Sequence, residues 1–175
     1  MSILKVARMG HPVLRRRARA LDTSDLKSPT MQDFFDDMIE TMYEYHGAGL
    51  AAPQVHQGLR VFVAMLDGEP DEKSEAMVVI NPEIVANAPE KEEGWEGCLS
   101  IPDIRGMVPR HTDITLKALD RKGKSVEIQL RGFPARVAQH ETDHLDGILF
   151  FDRMASMQTL TFLEEFARYW SKDDD

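Results

Sequence analysis

A chain of 175 residues with 42% hydrophobic and 29% charged side chains has the composition of an ordinary soluble protein and the length for one domain with a real core. Its net charge of −9 argues against holding DNA or another polyanion over a broad face, and no apolar run approaches a membrane span. One cysteine, Cys98, precludes an intramolecular disulfide and suits a reducing compartment, and residues 1–6 lack a signal-peptide layout, so the expected location is the cytoplasm.

Residues 1–27 show no sustained periodicity, with His11-Pro12 marking an extended or turn segment. The short basic run Arg15-Arg16-Arg17 with Arg19 reads as a solvated turn. Ser28-Pro29 predicts a helix start, serine as cap and proline in the first turn. Met31, Phe34, Phe35, Met38, Ile39, Met42 and Tyr45 then recur at helical spacing, an apolar stripe that predicts core, with Gly47 as the stop. The following Gly47-Ala48-Gly49-Leu50-Ala51-Ala52-Pro53-Gln54 leaves a backbone with little side-chain bulk, open to close approach by another group. Gln54 at its end carries an amide able to donate to a developing oxyanion.

Arg60 to Met65 predicts an alternating strand, and Met77 to Ile80 another, closed by Asn81-Pro82. Between them the acidic, turn-rich stretch from Asp67 to Glu75 reads as a surface loop. Residues 83–93 read as extended and lead to Gly94-Trp95-Glu96-Gly97-Cys98-Leu99-Ser100, where the cysteine precedes a polar turn and is not inside an apolar run. Residues 114–130 predict a hairpin turning at Asp120 to Lys124. Gly132-Phe133-Pro134 opens a helix that Asp146-Gly147 closes, and a last helix is expected over 155–170 with Leu160, Leu163, Phe166 and Trp170 inward. Antiparallel or mixed strands around separated helices make the expected fold class α+β, a single domain over residues 1–175.

The second helix carries Gln139-His140-Glu141-Thr142-Asp143-His144. Residues four apart share a helix face, so His140 and His144 can present two imidazoles to one ion, while Glu141 projects to the edge of that face. This is the His-Glu-x-x-His pattern of metal hydrolases. A hydrolytic site needs a third ligand and one open position. No histidine lies downstream, and Glu164 and Glu165 fall in an amphipathic helix with solvated ends. Of the remaining candidates, which include His11, His46, His56 and His111, the thiolate of Cys98 is the softest and strongest donor for Zn2+ or Fe2+.

Three segments together, Gly47 to Gln54, Glu96 to Ser100 and Gln139 to His144, resemble the three motifs of the peptide deformylase family in order and spacing. The short length and helical C-terminus resemble its shorter bacterial branch. Thr142 departs from the pattern, since many relatives carry an apolar residue there. The resemblance implies a hydrolase that removes the formyl group from the N-terminal formyl-methionine of newly made polypeptides. It implies one divalent ion on Cys98, His140 and His144: Fe2+ in the cell, with Zn2+, Ni2+ or Co2+ in preparations. It further implies Glu141 as the proton shuttle, and the Gln54 amide with the Leu99 backbone N–H as oxyanion donors. Gly49 and Leu50 would wall the cleft against acyl groups bulkier than formyl. Arg105 would contact peptide beyond the formyl-methionine, and Glu96 would pair with Arg110 to hold the segment bearing Cys98.

Two other readings of the motif remain distinct: a zinc endopeptidase with a cleft open at both ends, and a non-catalytic module whose metal is closed off by a fourth protein ligand. The expected partners are formyl-methionyl nascent peptides, with no DNA and no membrane. Any transient ribosome contact should avoid the C-terminus, because Asp173-Asp174-Asp175 would be repelled by RNA phosphates. The cluster at Arg15, Arg16, Arg17 and Arg19 is the better candidate.

Overall fold

Helix α1 spans Pro29–Glu44 in the computed structural model, which describes residues 2–67 and 75–171. Ser28 caps it by accepting the Met31 backbone N–H, and Pro29 sits in the first turn, where its missing N–H is not needed. Phe35, Met38 and Met42 are fully buried, each contributing about 1.5–3 kcal/mol of apolar transfer. The helix stop differs from expectation. His46, at φ 53°, takes the left-handed position, and the Gly47 N–H reaches back to the Met42 carbonyl at 2.9 Å. Tyr45, the expected end of the buried stripe, is exposed.

Eight strands follow: β1 (Gly49–Ala51), β2 (Val61–Met65), β3 (Ala76–Ala86), β4 (Lys91–Cys98), β5 (Ile101–His111), β6 (Asp113–Leu119), β7 (Ser125–Arg131) and β8 (Thr161–Phe162). They form two sheets, in the orders β1-β2-β3-β6-β7 and β4-β5-β8, and each named pair is antiparallel. Strand β2 is buried along its whole length and does not alternate. Phe62 and Ala64 face one cluster, while Val61, Val63 and Met65 face the cluster under α1, so an antiparallel strand covered on both sides reads as a continuous apolar run.

Asn81-Pro82 bends β3 and does not end it. The register jumps between Ile80 and Glu83, and Asn81, at φ 51°, exchanges two hydrogen bonds with the backbone of Leu21. A bulge is where a strand tolerates proline, because no ladder N–H is required there. Strand β5 had no counterpart in the sequence reading. The expected helix over 155–170 is also corrected. Residues Met157–Thr159 form a 3-10 turn, β8 pairs with β5, and helix α3 covers only Leu163–Tyr169. Phe166 packs half-buried against Trp95 at 4.9 Å, whereas Leu163 and Trp170 are exposed, Trp170 touching the Trp95 ring at 5.6 Å without being buried by it.

Helix α2 (Phe133–Leu145) lies between the two sheets. Ala135, Ala138 and Leu145 pack on the five-stranded sheet with Phe62, Ile114 and Leu116. Its other face meets the β4–β5 hairpin through His140 and Glu96, and the His140 ring stacks on Phe150 of the 3-10 turn Phe150–Arg153 at 6.4 Å. Gly147, at φ 74°, closes α2 as expected, and the Ile148 N–H returns to the Asp143 carbonyl. Residues 2–27 are irregular apart from two 3-10 turns, Pro12–Arg15 and Asp25–Lys27. In the basic run, Arg15 pairs with Asp152 and Arg17 with Asp146. Most of the acidic stretch between Asp67 and Glu75, and the terminal aspartates, lie outside the described residues.

Candidate metal centre

His140 and His144 stand one turn apart on α2, and Cys98 ends β4 in the tight turn that pairs it with Ile101. One donor atom from each converges, all within 4.8 Å of one another. The Cys98 sulfur is 3.3 Å from His144 Nε2. His140 uses Nδ1 on Glu96 at 2.8 Å, leaving Nε2 as its coordinating atom. Among the described residues no fourth His, Cys, Asp or Glu joins this cluster. Two imidazoles and a thiol at this spacing suit a tetrahedral divalent ion with one position left over. Of the other histidines, His11 meets His56 edge-on at 4.7 Å, His111 Nδ1 contacts the Ala88 carbonyl, and His46 lines the adjoining cleft without giving an atom to the cluster.

Without an ion the two imidazoles titrate in opposite directions. Burial acts against a charged His140, but hydrogen bonds to Cys98 and Glu96 outweigh it and hold its pKa well above the usual value. Burial and the charge of His140 push His144 well below.

The expected Glu96–Arg110 pair is present and bidentate, at 2.9 and 3.0 Å. It belongs to a larger network that sequence reading missed. Arg136 donates to Glu96 Oε1 at 3.0 Å and to the carbonyls of Val108 and Glu92 at 2.7 and 2.8 Å. Arg110 also reaches Asp143 at 2.5 Å, and Arg153 grips the same carboxylate at 2.7 and 3.1 Å. Burial would raise the Glu96 carboxyl, yet its bonds with His140 and Arg110 keep it well below the usual carboxylate range. The available signal for Arg136 was helical spacing, since it precedes His140 by four positions.

Glu141 gives no atom to the cluster, and its carboxyl lies against Gly49 of β1 in the cleft that Cys98 and His140 also line. A Cβ on Gly49 would lie 2.6 Å from Glu141 Oε1, so only glycine permits this approach. Its Oε2 is buried without a hydrogen-bond partner, and desolvation pushes the carboxyl up to about 7. Gln54 is buried with its orientation fixed. Oε1 accepts the Ala51 N–H at 2.8 Å, and Nε2 points to Ser100 Oγ and the Cys98 sulfur at 3.2 and 3.5 Å. Leu99 and Gly49 line a cleft of about 680 Å³ that opens on the centre. Leu50 does not: its side chain is fully buried in the core beneath α1, correcting its expected place in the cleft wall. Arg105 lines the cleft with its guanidinium across Gly97.

A three-ligand centre with room for water and an unligated carboxylate beside it defines a metal-dependent hydrolase. Residues 3–160 match the polypeptide deformylase family, and the chain belongs to that family. It is 46% identical over 164 residues to a peptide deformylase of Dehalococcoides mccartyi, covering 91% of each chain. It is 39% identical to peptide deformylase 2 of a Nostoc species over 98% of this chain and 97% of that one. Among solved structures, peptide deformylase from Thermotoga maritima superposes with a TM-score of 0.80 at 40% identity, over 89% of this chain and 100% of that one. An actinonin-bound class I type b peptide deformylase from Acinetobacter baumannii gives the same TM-score at 39% identity, with the same coverage of both chains.

Proposed function

We infer that the centre on α2 carries out the family's reaction in this chain, removal of the formyl group from formyl-methionine at the start of new polypeptides, and that its residues divide the work as follows. The observation that carries the reading is the convergence of Cys98, His140 and His144 beside a Glu141 carboxyl that has a partnerless buried oxygen. Cys98, His140 and His144 would hold a divalent ion, which would supply Lewis-acid polarisation of the carbonyl and a water with a pKa of about 7. Glu141 takes the proton of the attacking water and returns it to the leaving amine. The Gln54 amide, aimed at the centre by its bond to Ala51, meets the charge that grows on the formyl oxygen, with the Leu99 N–H as second donor. Glu96 and Arg110 hold His140 and the Cys98 turn in register. Gly49 narrows the cleft at Glu141, and Arg105 contacts the chain beyond the formyl-methionine.

Fe2+ is the ion we propose for the cell, with Zn2+, Ni2+ or Co2+ as replacements, since a thiolate with two imidazoles accepts all four. The proposed setting is the cytoplasm, where formylated chains emerge. Among the described residues no helix is long and apolar enough to cross a membrane. Ribosome contact, where it occurs, is proposed to avoid the acidic C-terminus and to use the arginine cluster at 15–19.

The test compares formyl-Met, acetyl-Met and internal peptides with ion-loaded protein, beside Cys98→Ala. Turnover confined to the formyl peptide, and lost together with the metal in the variant, is the expected result. Cleavage of internal bonds, or an active, metal-replete Cys98→Ala protein, would overturn the assignment.

A further inference from the structure

The mouth of the cleft carries a charge opposite to that of the molecule. The chain's net charge is −9, yet Lys5, Arg8 and Arg105 line the opening, and Asp103 is the one carboxylate lining it outside the buried Glu96 and Glu141. Among the described residues none of these three cations has an ion-pair partner; the side chain of Arg105 bonds only the carbonyl of Ile104. By contrast Arg136, which also lines the cleft, is committed to Glu96 and to backbone carbonyls.

The position of Arg8 is fixed by the site itself. The Ala7 N–H donates to the Gln54 carbonyl at 2.7 Å, and the Met9 N–H donates to the Ser100 carbonyl at 2.8 Å. The backbone on either side of Arg8 is therefore tied to the two segments that carry Gln54 and flank Cys98. Ala7 points inward and is buried, so its neighbour Arg8 is left exposed at the rim. Ions screen charges over about 8–10 Å at physiological strength, so a peptide at the mouth feels these nearby cations more than the negative remainder of the surface.

We propose that Lys5, Arg8 and Arg105 form a cationic collar that selects formyl-methionyl peptides carrying acidic side chains in the residues after the methionine. The proposal rests on the deformylase reading above and names the substrates that the site prefers. Exposed ion pairs are individually weak, so a preference of roughly fivefold is expected from two of them acting together.

The experiment measures kcat/KM of the ion-loaded protein for formyl-Met-Ala-Glu-Glu, formyl-Met-Ala-Lys-Lys and formyl-Met-Ala-Ser-Ser. It also measures inhibition by the corresponding deformylated products. The collar predicts the order Glu, Ser, Lys in both readouts, a ratio that shrinks toward one in high salt, and a reduced Glu-to-Lys ratio in Lys5→Gln/Arg8→Gln. Because the ratio is taken within one protein, a partly unfolded variant still reports it. Equal rates for the three peptides, a preference for lysine, or a ratio untouched by the double substitution would overturn the collar. Turnover of none of the three peptides would overturn the deformylase reading itself, and the collar with it.

Discussion

Glu141 adjoins a ligand in sequence yet contributes no atom to the metal cluster, because successive helical residues leave the axis about 100° apart. That rotation carries its carboxyl to Gly49, where it is desolvated but uncoordinated. Glu141→Gln keeps the shape and removes the proton shuttle. Metal content should stay near that of the parent while turnover falls on the order of a hundredfold or more. Loss of metal with an unchanged rate per bound ion would show that Glu141 is a ligand after all. Its neighbour Thr142 is a contrasting case. The hydroxyl is buried with no hydrogen-bond partner, an arrangement that costs about 1–3 kcal/mol. Thr142→Val conserves shape and should raise the melting temperature by about 2–4 °C per kcal/mol recovered. A lower melting temperature would mean that the hydroxyl is satisfied in solution.

At the level of elements, the centre joins two pieces that the sequence showed unequally. Helix α2 was legible from its opening proline, its closing glycine and the spacing of His140 and His144. The hairpin opposite was only half legible. β5 contains Pro102, Gly106 and Pro109, which punctuate any alternation, and its pairing with β4 is a non-local fact. For the same reason the resemblance supplied Glu96 and Arg110, while Asp143 and Arg153 became visible only when two elements met, and Arg136 had only its helical spacing from His140 to mark it. Leu50 was misread because a motif position carries no information about which face its side chain takes. The shared network has a pH signature. Glu96 titrates near 4.5 when unfolded and well below that when folded, so its contribution is complete above about pH 4.5 and is lost as acid protonates the folded form. Glu96→Gln should destabilise the metal-free protein by about 3 kcal/mol at pH 7, by leaving buried Arg110 short of a counter-charge. Urea denaturation between pH 6 and pH 3 should then fall less steeply for the variant than for the parent. Parallel pH profiles would show that Glu96 contributes nothing through its charge.

At the scale of the whole molecule, the metal ligands come from two different parts of the fold. His140 and His144 ride on a helix packed against the five-stranded sheet, whereas Cys98 closes a turn of the three-stranded sheet. An ion held by all three is a cross-link between the sheets that exists only in the folded state. Binding confined to the native state stabilises by mass action, about 4 kcal/mol when free ion exceeds its dissociation constant a thousandfold. For a chain of this length that amounts to a rise of roughly 10 °C in melting temperature. Removing the ion with a chelator should therefore lower the transition by about that much, and returning Zn2+ should restore it in proportion to the logarithm of its free concentration. Cys98→Ala should melt near the metal-free temperature and respond weakly to added Zn2+. Calorimetry on the parent and the variant, with and without Zn2+, reads the shift and shows how much of it depends on Cys98. If metal-free and metal-loaded parent melted together, the folded state would not be binding the ion in preference to the unfolded chain.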